Sequence, residues 1–172
     1  MIVLASSGIE PGKHIPYPPI VDEALGYCER PNADKIPRLV KQRNELDGKL
    51  RSESLNSHYH DYDALMDAET EVADCVSLPS THPLYILYTS GTTGQPKGIV
   101  RDTGGTAVGL NWCMENVFNV HNKTVHFAGS DIGWVVGHSF IIYGPLLRGA
   151  ASVFFEGKPV VPDAGVMWQK CA

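Results

Sequence analysis

With 172 residues, 43% of them hydrophobic, the chain is long enough to bury a substantial core. A formal net charge of −5 and the lack of a long basic run argue against nucleic acid or an anionic membrane as the main partner. No apolar run approaches the roughly 20 residues of a membrane span. Four scattered cysteines without a Cys-x-x-Cys pair favour a reducing compartment, so a soluble intracellular protein of the cytoplasm or mitochondrial matrix is expected.

The first half of the chain predicts two strands and two short helices. Met1 to Gly8 is typical of a buried parallel strand that ends in a glycine turn. After a stretch rich in Pro and Gly, the spacing of the apolar residues predicts a helix over residues 20–25. Residues 36–40 form a second strand candidate, residues 41–57 an exposed polar connector, and residues 62–69 a peripheral helix.

The second half alternates strands and helices. A strand from Leu84, a loop and a further strand precede a helix over residues 106–120, whose apolar stripe predicts core packing: Ala107, Leu110, Met114, Val117 and Phe118. Residues 125–128 and 152–155 are typical of buried strands on either side of a helix broken near Gly144-Pro145, and a last helix opens after Asp163. Together the elements predict an α/β fold, a layered and mostly parallel sheet with flanking helices.

The loop between the strands, within YILYTSGTTGQPKGIV from Tyr85 to Val100, has the composition of a phosphate site. Its glycines let backbone N–H groups converge on an anion, while hydroxyls and one lysine supply further donors. It is not a Walker A loop, because Pro96 precedes the lysine and Gly98 follows it. The candidate phosphate-binding residues are Thr89, Ser90, Gly91, Thr92, Thr93, Gly94 and Lys97.

A second block, SDIGWVVGHS from Ser130 to Ser139, is followed by YGPL, FEG and PDAG. With the loop, it resembles the AMP-forming acyl-adenylate superfamily, and within it the short-chain acyl-CoA synthetases of the acetate and propionate type. The opening residues 6–12 and 18–25 are similar to the propionyl-CoA synthetase branch. The resemblance implies that the chain, residues 1–172, is part of the large N-terminal AMP-binding domain, with the C-terminal lid domain absent.

The resemblance also implies a chemistry. Such enzymes join a short carboxylate to the α-phosphate of ATP with Mg²⁺, release pyrophosphate, and pass the acyl group from AMP to coenzyme A. It places the acyl pocket at Trp134, Val135, Val136, Gly137 and His138. Acetate enzymes usually carry Thr at the position of Val136, so a more apolar wall favours propionate over acetate. Small-molecule substrates are the expected partners, with neither nucleic acid nor membrane.

Two features leave other interpretations open. The adenine-binding segment, hinge and lid lysine of the resembled family are not in this sequence, so no complete catalytic set is expected in this chain and it alone is expected to be inactive. The alternative is a truncated, non-catalytic protein that retains only a phosphate-binding loop. Two clusters of side chains have less support as sites. They are His58, His60, Asp61 and Asp63 as metal ligands, and Asp131, His138 and Ser139 as a nucleophilic triad.

Overall fold

The computed structural model describes residues 1–10, 13–43, 57–90, 94–158 and 160–171. The chain divides into two compact units, Met1–Asp74 and Cys75–Ala172. Each unit contains helices and a parallel strand pairing. The predicted α/β class is therefore confirmed.

The first unit is built on a parallel sheet in the order β1-β4-β5. Its strands are β1 (Ile2–Ala5), β4 (Arg38–Lys41) and β5 (Tyr59–Asp61). The central strand β4 holds the fully buried Val40, as expected for a strand with neighbours on both edges. The parallel N-terminal strand was predicted correctly, but its expected burial was wrong in part, because Val3 is 56% exposed.

A short antiparallel pair precedes the first helix and was not predicted. Strands β2 (Ser7–Glu10) and β3 (Lys13–Pro16) pair from Ser7 opposite Pro16 to Glu10 opposite Lys13. Helix α1 (Pro18–Gly26) follows, with prolines in its first turn, where a missing N–H costs nothing. The helix predicted over residues 20–25 is confirmed.

A partly buried ionic cluster, with Arg38 inside and the Asp22 side chain 45% exposed, fastens α1 to the sheet. Arg38 is 2% exposed, and its Nε lies 3.4 Å from Asp22 Oδ1. Tyr59 donates from its hydroxyl to the same carboxylate at 2.9 Å, and its ring centroid lies 5.2 Å from the Arg38 guanidinium carbon. Burial, followed by the hydrogen bond to Asp22 and the charge of Asp22, raises the pKa of Tyr59 to about 12.

Helix α2 (Tyr62–Ala68) closes the first unit and has no buried residue, which confirms the peripheral helix. Most of the expected polar connector, residues 44–56, lies outside the described residues. Asp61 accepts a hydrogen bond from the Ala64 N–H at 2.9 Å and so caps α2.

The second unit contains two strand pairs and several helical segments. Strands β6 (Pro83–Thr89) and β7 (Lys97–Asp102) are antiparallel, whereas β8 (Val125–Phe127) and β9 (Ala151–Val153) are parallel. The helical segments are α3 (Thr103–Asn116), α4 (Val135–Gly137), a π-helical segment (His138–Tyr143), α5 (Gly144–Leu147) and α6 (Val166–Cys171). The strands at β8 and β9 were predicted, but Val125 and Phe154 are exposed rather than buried.

Helix α3 packs through Leu110 and Met114, the two members of the predicted stripe that are buried. The prediction that the stripe continues to Phe118 was wrong. The helix ends at Asn116, and Asn119 has a φ of 54°, a left-handed conformation typical of helix C-termini. Val117 and Phe118 therefore lie outside the helix and are exposed.

The helical stretch after Trp134 continues through Pro145 instead of breaking there. Proline has no N–H to donate to the preceding turn, which contains the carbonyl of Ile141. Ser152 on β9 donates from its hydroxyl to that carbonyl oxygen at 2.6 Å. A side chain from the neighbouring strand thus replaces the missing backbone donor.

Candidate active site

One face of the β6–β7 pair carries the residues from which the candidate site is built. Cross-strand partners lie on the same face of a sheet, and faces alternate along a strand. The pairs Tyr85–Arg101, Leu87–Ile99 and Thr89–Lys97 therefore share one face. Thr89 lies four residues after Tyr85 along the strand, a distance of roughly 13 Å.

The predicted phosphate loop spans the far end of this pair. Thr89 is the last residue of β6 and Lys97 the first of β7, directly opposite. Gly94 has a φ of 79°, which only glycine adopts readily. Gly91, Thr92 and Thr93 lie outside the described residues. Lys97 is exposed and has no ion-pair partner within the part of the chain that the structure describes.

At the other end of the same face lies an open cavity of about 350 Å³. Strands β6 and β7, helix α3 and the helical stretch after Trp134 all contribute to its wall. The lining residues are Tyr85, Arg101, Gly105, Thr106, Gly109, Leu110, Val135, Val136, Ser139 and Phe140. An apolar cavity with a few polar groups at its wall is the usual form of a small-molecule site.

Of the five residues expected to form an acyl pocket, two line the cavity and three do not. Val135 and Val136 line the cavity. Trp134 does not, and its side chain is 66% exposed. His138 does not line the cavity either. Its ring centroid lies 5.5 Å from that of the lining residue Tyr85, and its Nδ1 lies 3.0 Å from the Trp134 carbonyl oxygen.

Gly137 has a packing role. A Cβ at this position would lie 2.6 Å from the Cα of Ile132 and would also overlap the Asp131 carbonyl oxygen. The same Asp131 accepts a hydrogen bond from Gly133 N–H at 2.7 Å, which fixes the turn before α4. Gly137 thus allows the turn to pack directly on the helix that presents the two valines.

Helix α3 supplies a wall that sequence reasoning missed. Gly105 and Gly109, like Thr106 and Leu110, are four residues apart, so all four lie on one helix face. The stripe predicted on this helix was interpreted as core, and of the four wall residues only Leu110 belongs to it. Arg101 and Tyr85 were also missed, and only the strand register links them to the loop.

The start of α3 is fixed by its cap. Asp102, the last residue of β7, accepts a hydrogen bond from the Gly105 N–H at 3.1 Å. A Cβ at Gly105 would lie 2.8 Å from that carboxylate, and one at Gly104 would lie 2.5 Å from the Cβ of Ser80. Both glycines are therefore required by local packing.

The two carboxylates of the possible metal cluster, Asp61 and Asp63, have partners within the protein. Asp61 caps α2, and Asp63 accepts a hydrogen bond from Lys41 Nζ at 2.6 Å. This hydrogen bond is the main cause that raises the pKa of Lys41. Within the described ranges, no group of three or more His, Cys, Asp or Glu side chains is arranged to hold a metal ion.

A profile of the AMP-binding enzyme family matches residues 21–172. The chain belongs to the AMP-binding enzyme family. It is 45% identical over 183 residues to acyl-CoA synthetase short-chain family member 3, mitochondrial, of Rattus norvegicus, and 47% identical over 173 residues to the protein of the same name in Homo sapiens. Each alignment covers 100% of this chain and 24% of the relative.

Acetyl-coenzyme A synthetase of Methylobacterium radiotolerans is 37% identical over 169 residues, with 98% of this chain and 25% of that protein covered. Among solved structures, acetoacetyl-CoA synthetase from Streptomyces lividans matches with a TM-score of 0.74 and 24% identity, over 98% of this chain and 24% of that one. This member of the AMP-binding enzyme family thus resembles short-chain acyl-CoA synthetases and spans about a quarter of their length.

Among the described residues, no helix of this family member is both long and apolar enough to cross a membrane.

Proposed function

We propose that these residues belong to an AMP-forming short-chain acyl-CoA synthetase. In the first step a carboxylate oxygen attacks the α-phosphorus of ATP, and an acyl-adenylate and pyrophosphate are formed. In the second step the thiol of coenzyme A displaces AMP to give the acyl-CoA. The observation that supports this most is the strand register, because Thr89 and Lys97 share a face with the cavity residues Tyr85 and Arg101.

In this proposal Lys97 acts on the leaving group. Negative charge builds on the departing pyrophosphate, and the exposed ammonium of Lys97 at the base of the loop stabilises it. Thr89, Ser90 and Gly94, together with Gly91, Thr92 and Thr93, would supply backbone and hydroxyl donors. The loop is thus electrostatic and positional in its role.

Mg²⁺ is ordinarily held by carboxylates together with nucleotide phosphates. The described residues at the loop end of the β6–β7 pair offer the hydroxyls of Thr89 and Ser90 and no carboxylate. The ion would therefore arrive with ATP instead of being held by this pair.

The acyl tail is assigned to the cavity beside Val135 and Val136, with Trp134, Gly137 and His138 as the residues that shape the segment. A valine at position 136 leaves that wall without a hydroxyl, which favours an alkyl tail over a polar one. Discrimination by one methylene is worth about 1–3 kcal/mol, so a preference for propionate over acetate would be partial.

We further propose that residues 1–172 form part of the N-terminal domain and that the remaining ATP and coenzyme A contacts, including a lid, are made by other residues of the full-length protein. The relatives of Rattus norvegicus and Homo sapiens carry the word mitochondrial in their names. These names support the mitochondrial matrix, and the cytoplasm is the other intracellular location proposed.

The test is carboxylate-dependent exchange of pyrophosphate with ATP, measured on the full-length protein that carries these residues. Lys97→Ala is expected to lower the exchange rate by about 100- to 1,000-fold, the usual effect of losing one transition-state contact, and to leave coenzyme A affinity nearly unchanged. Lys35→Ala, an exposed lysine in the first unit, is the control. Equal rates for the two variants would contradict the role of Lys97, and no exchange with any short carboxylate would contradict the function.

A further inference from the structure

Gly109 is a residue whose lack of a side chain has no explanation in the packing of α3. It is the seventh residue of the helix and lies on the wall of the cavity. A Cβ added there would meet nothing within 4 Å. Glycine inside a helix is otherwise unfavourable compared with alanine.

The other glycines near the cavity differ in this respect. Gly104 and Gly105 are excluded from carrying a Cβ by Ser80 and by the Asp102 cap, and Gly137 by the Asp131–Ile132 backbone. Gly109 is exposed, and a side chain there would extend into open space at the wall of the cavity. The helix thus carries an unfavourable residue at a place where a larger residue would narrow the cavity.

This inference rests on the proposed function, in which Val135 and Val136 line the acyl cavity. We infer that Gly109 determines acyl chain length: by leaving its part of the wall empty, it admits linear carboxylates longer than propionate, such as butyrate and hexanoate. The cavity of about 350 Å³ is open, and at Gly109 its wall carries no side chain that would stop a longer acyl tail. Gly109 is a specificity-determining residue here and takes no part in the chemistry.

The test compares kcat/KM for acetate, propionate, butyrate and hexanoate in the full-length protein and three variants. Gly109→Leu places a branched side chain at the cavity wall, and Gly109→Ala adds a Cβ that meets nothing and improves helix propensity, so the alanine variant is expected to fold. Val108→Leu is the matched control, because Val108 is the neighbouring residue on the same helix and is exposed.

For Gly109→Leu we expect kcat/KM for butyrate and hexanoate to fall at least tenfold relative to acetate, since each misplaced methylene costs about 10- to 200-fold. Gly109→Ala should show a smaller shift in the same direction, and Val108→Leu none. Unchanged ratios in both Gly109 variants would overturn the inference, as would an equal loss for all four acids. If the wild type is active with a short acid but the Gly109 variants keep its kcat/KM ratios, the proposed function stands and only the role of Gly109 is overturned. A wild type that is inactive with every acid would overturn both the function and the role of Gly109.

Discussion

Val136 bears directly on the choice between two acids that differ by one methylene. It lines the cavity beside Val135. In the full-length protein, Val136→Thr is expected to shift the kcat/KM ratio toward acetate by up to roughly tenfold, because a hydroxyl in that wall penalises an apolar tail.

The measurement is the propionate-to-acetate ratio in competing-substrate assays, with Val108→Thr as an exposed control of the same chemistry on α3. If both variants keep the wild-type ratio, Val136 does not face the acyl tail.

Tyr59 makes the stability of the first unit sensitive to alkaline pH. Its pKa is about 12 in the folded protein and near 10 in an unfolded chain, because burial and the Asp22 carboxylate disfavour the phenolate. A raised pKa contributes stability that is fully present below pH 10 and is lost as pH rises from 10 through 12.

We expect wild type to lose up to roughly 3 kcal/mol more than Tyr59→Phe between pH 9 and pH 12, the value of two pKa units. The midpoint of urea unfolding of the full-length protein at each pH checks this. Parallel curves for the two proteins would show that Tyr59 is not coupled to folding.

At the scale of elements, the cap of α3 matters because the cavity wall depends on it. Asp102→Ala leaves the Gly105 N–H without its acceptor and is expected to cost about 1 kcal/mol of stability. Asp102→Asn keeps an acceptor and should restore most of it. Asp67→Ala, an exposed carboxylate on α2, is the control for lost charge. Thermal unfolding of the three variants tests the order, and an asparagine variant as weak as the alanine variant would contradict a capping role.

Local patterns predicted most elements because their causes are local. The prolines of α1 and the motif between β6 and β7 act within a few residues. The β2–β3 pair was missed because its hydrogen bonds link backbones that carry no strand pattern of their own. The end of α3 was missed because the apolar stripe continues past Asn116, where the helix ends, into Val117 and Phe118.

The candidate site also has one part with a local cause in the sequence and one part that depends on tertiary packing. Loop residues such as Thr89 and Lys97 come from one continuous motif, and a sequence reveals that directly. The sequence does not reveal the α3 wall in this way, since Leu110 belongs to the stripe predicted to pack in the core and Gly109 carries no side chain that marks a site. Only the packing of the second unit places one face of that helix at a cavity.

For the whole molecule, one face of the β6–β7 pair is apolar and uncovered in the described structure. It is the face opposite to the one that carries Tyr85 and Lys97. Ile86 is 59% and Tyr88 71% exposed, and Val100, paired with Ile86, is also exposed. Exposed apolar strands favour association between chains. The 172 residues expressed by themselves are therefore expected to be poorly soluble.

The same 172-residue polypeptide is expected to form no detectable acyl-CoA, because positioning supplies most of the rate in phosphoryl chemistry and the chain spans about a quarter of its relatives. The assay is acyl-CoA formation from ATP, coenzyme A and propionate, with the full-length protein as positive control. Robust turnover by the purified short polypeptide would contradict the proposal that other residues are required.

The junction of β7 and α3 has a consequence for which changes in length the protein can tolerate. The strand ends at Asp102 and the helix begins at Thr103, with no residue between them. One residue inserted there would rotate every later position of α3 by about 100° about the helix axis. Gly109 and Leu110 would turn away from the cavity, although no side chain had been replaced. Insertions and deletions should therefore be absent from this junction in functional relatives, and tolerated in exposed segments such as the stretch from Glu69 to Pro79.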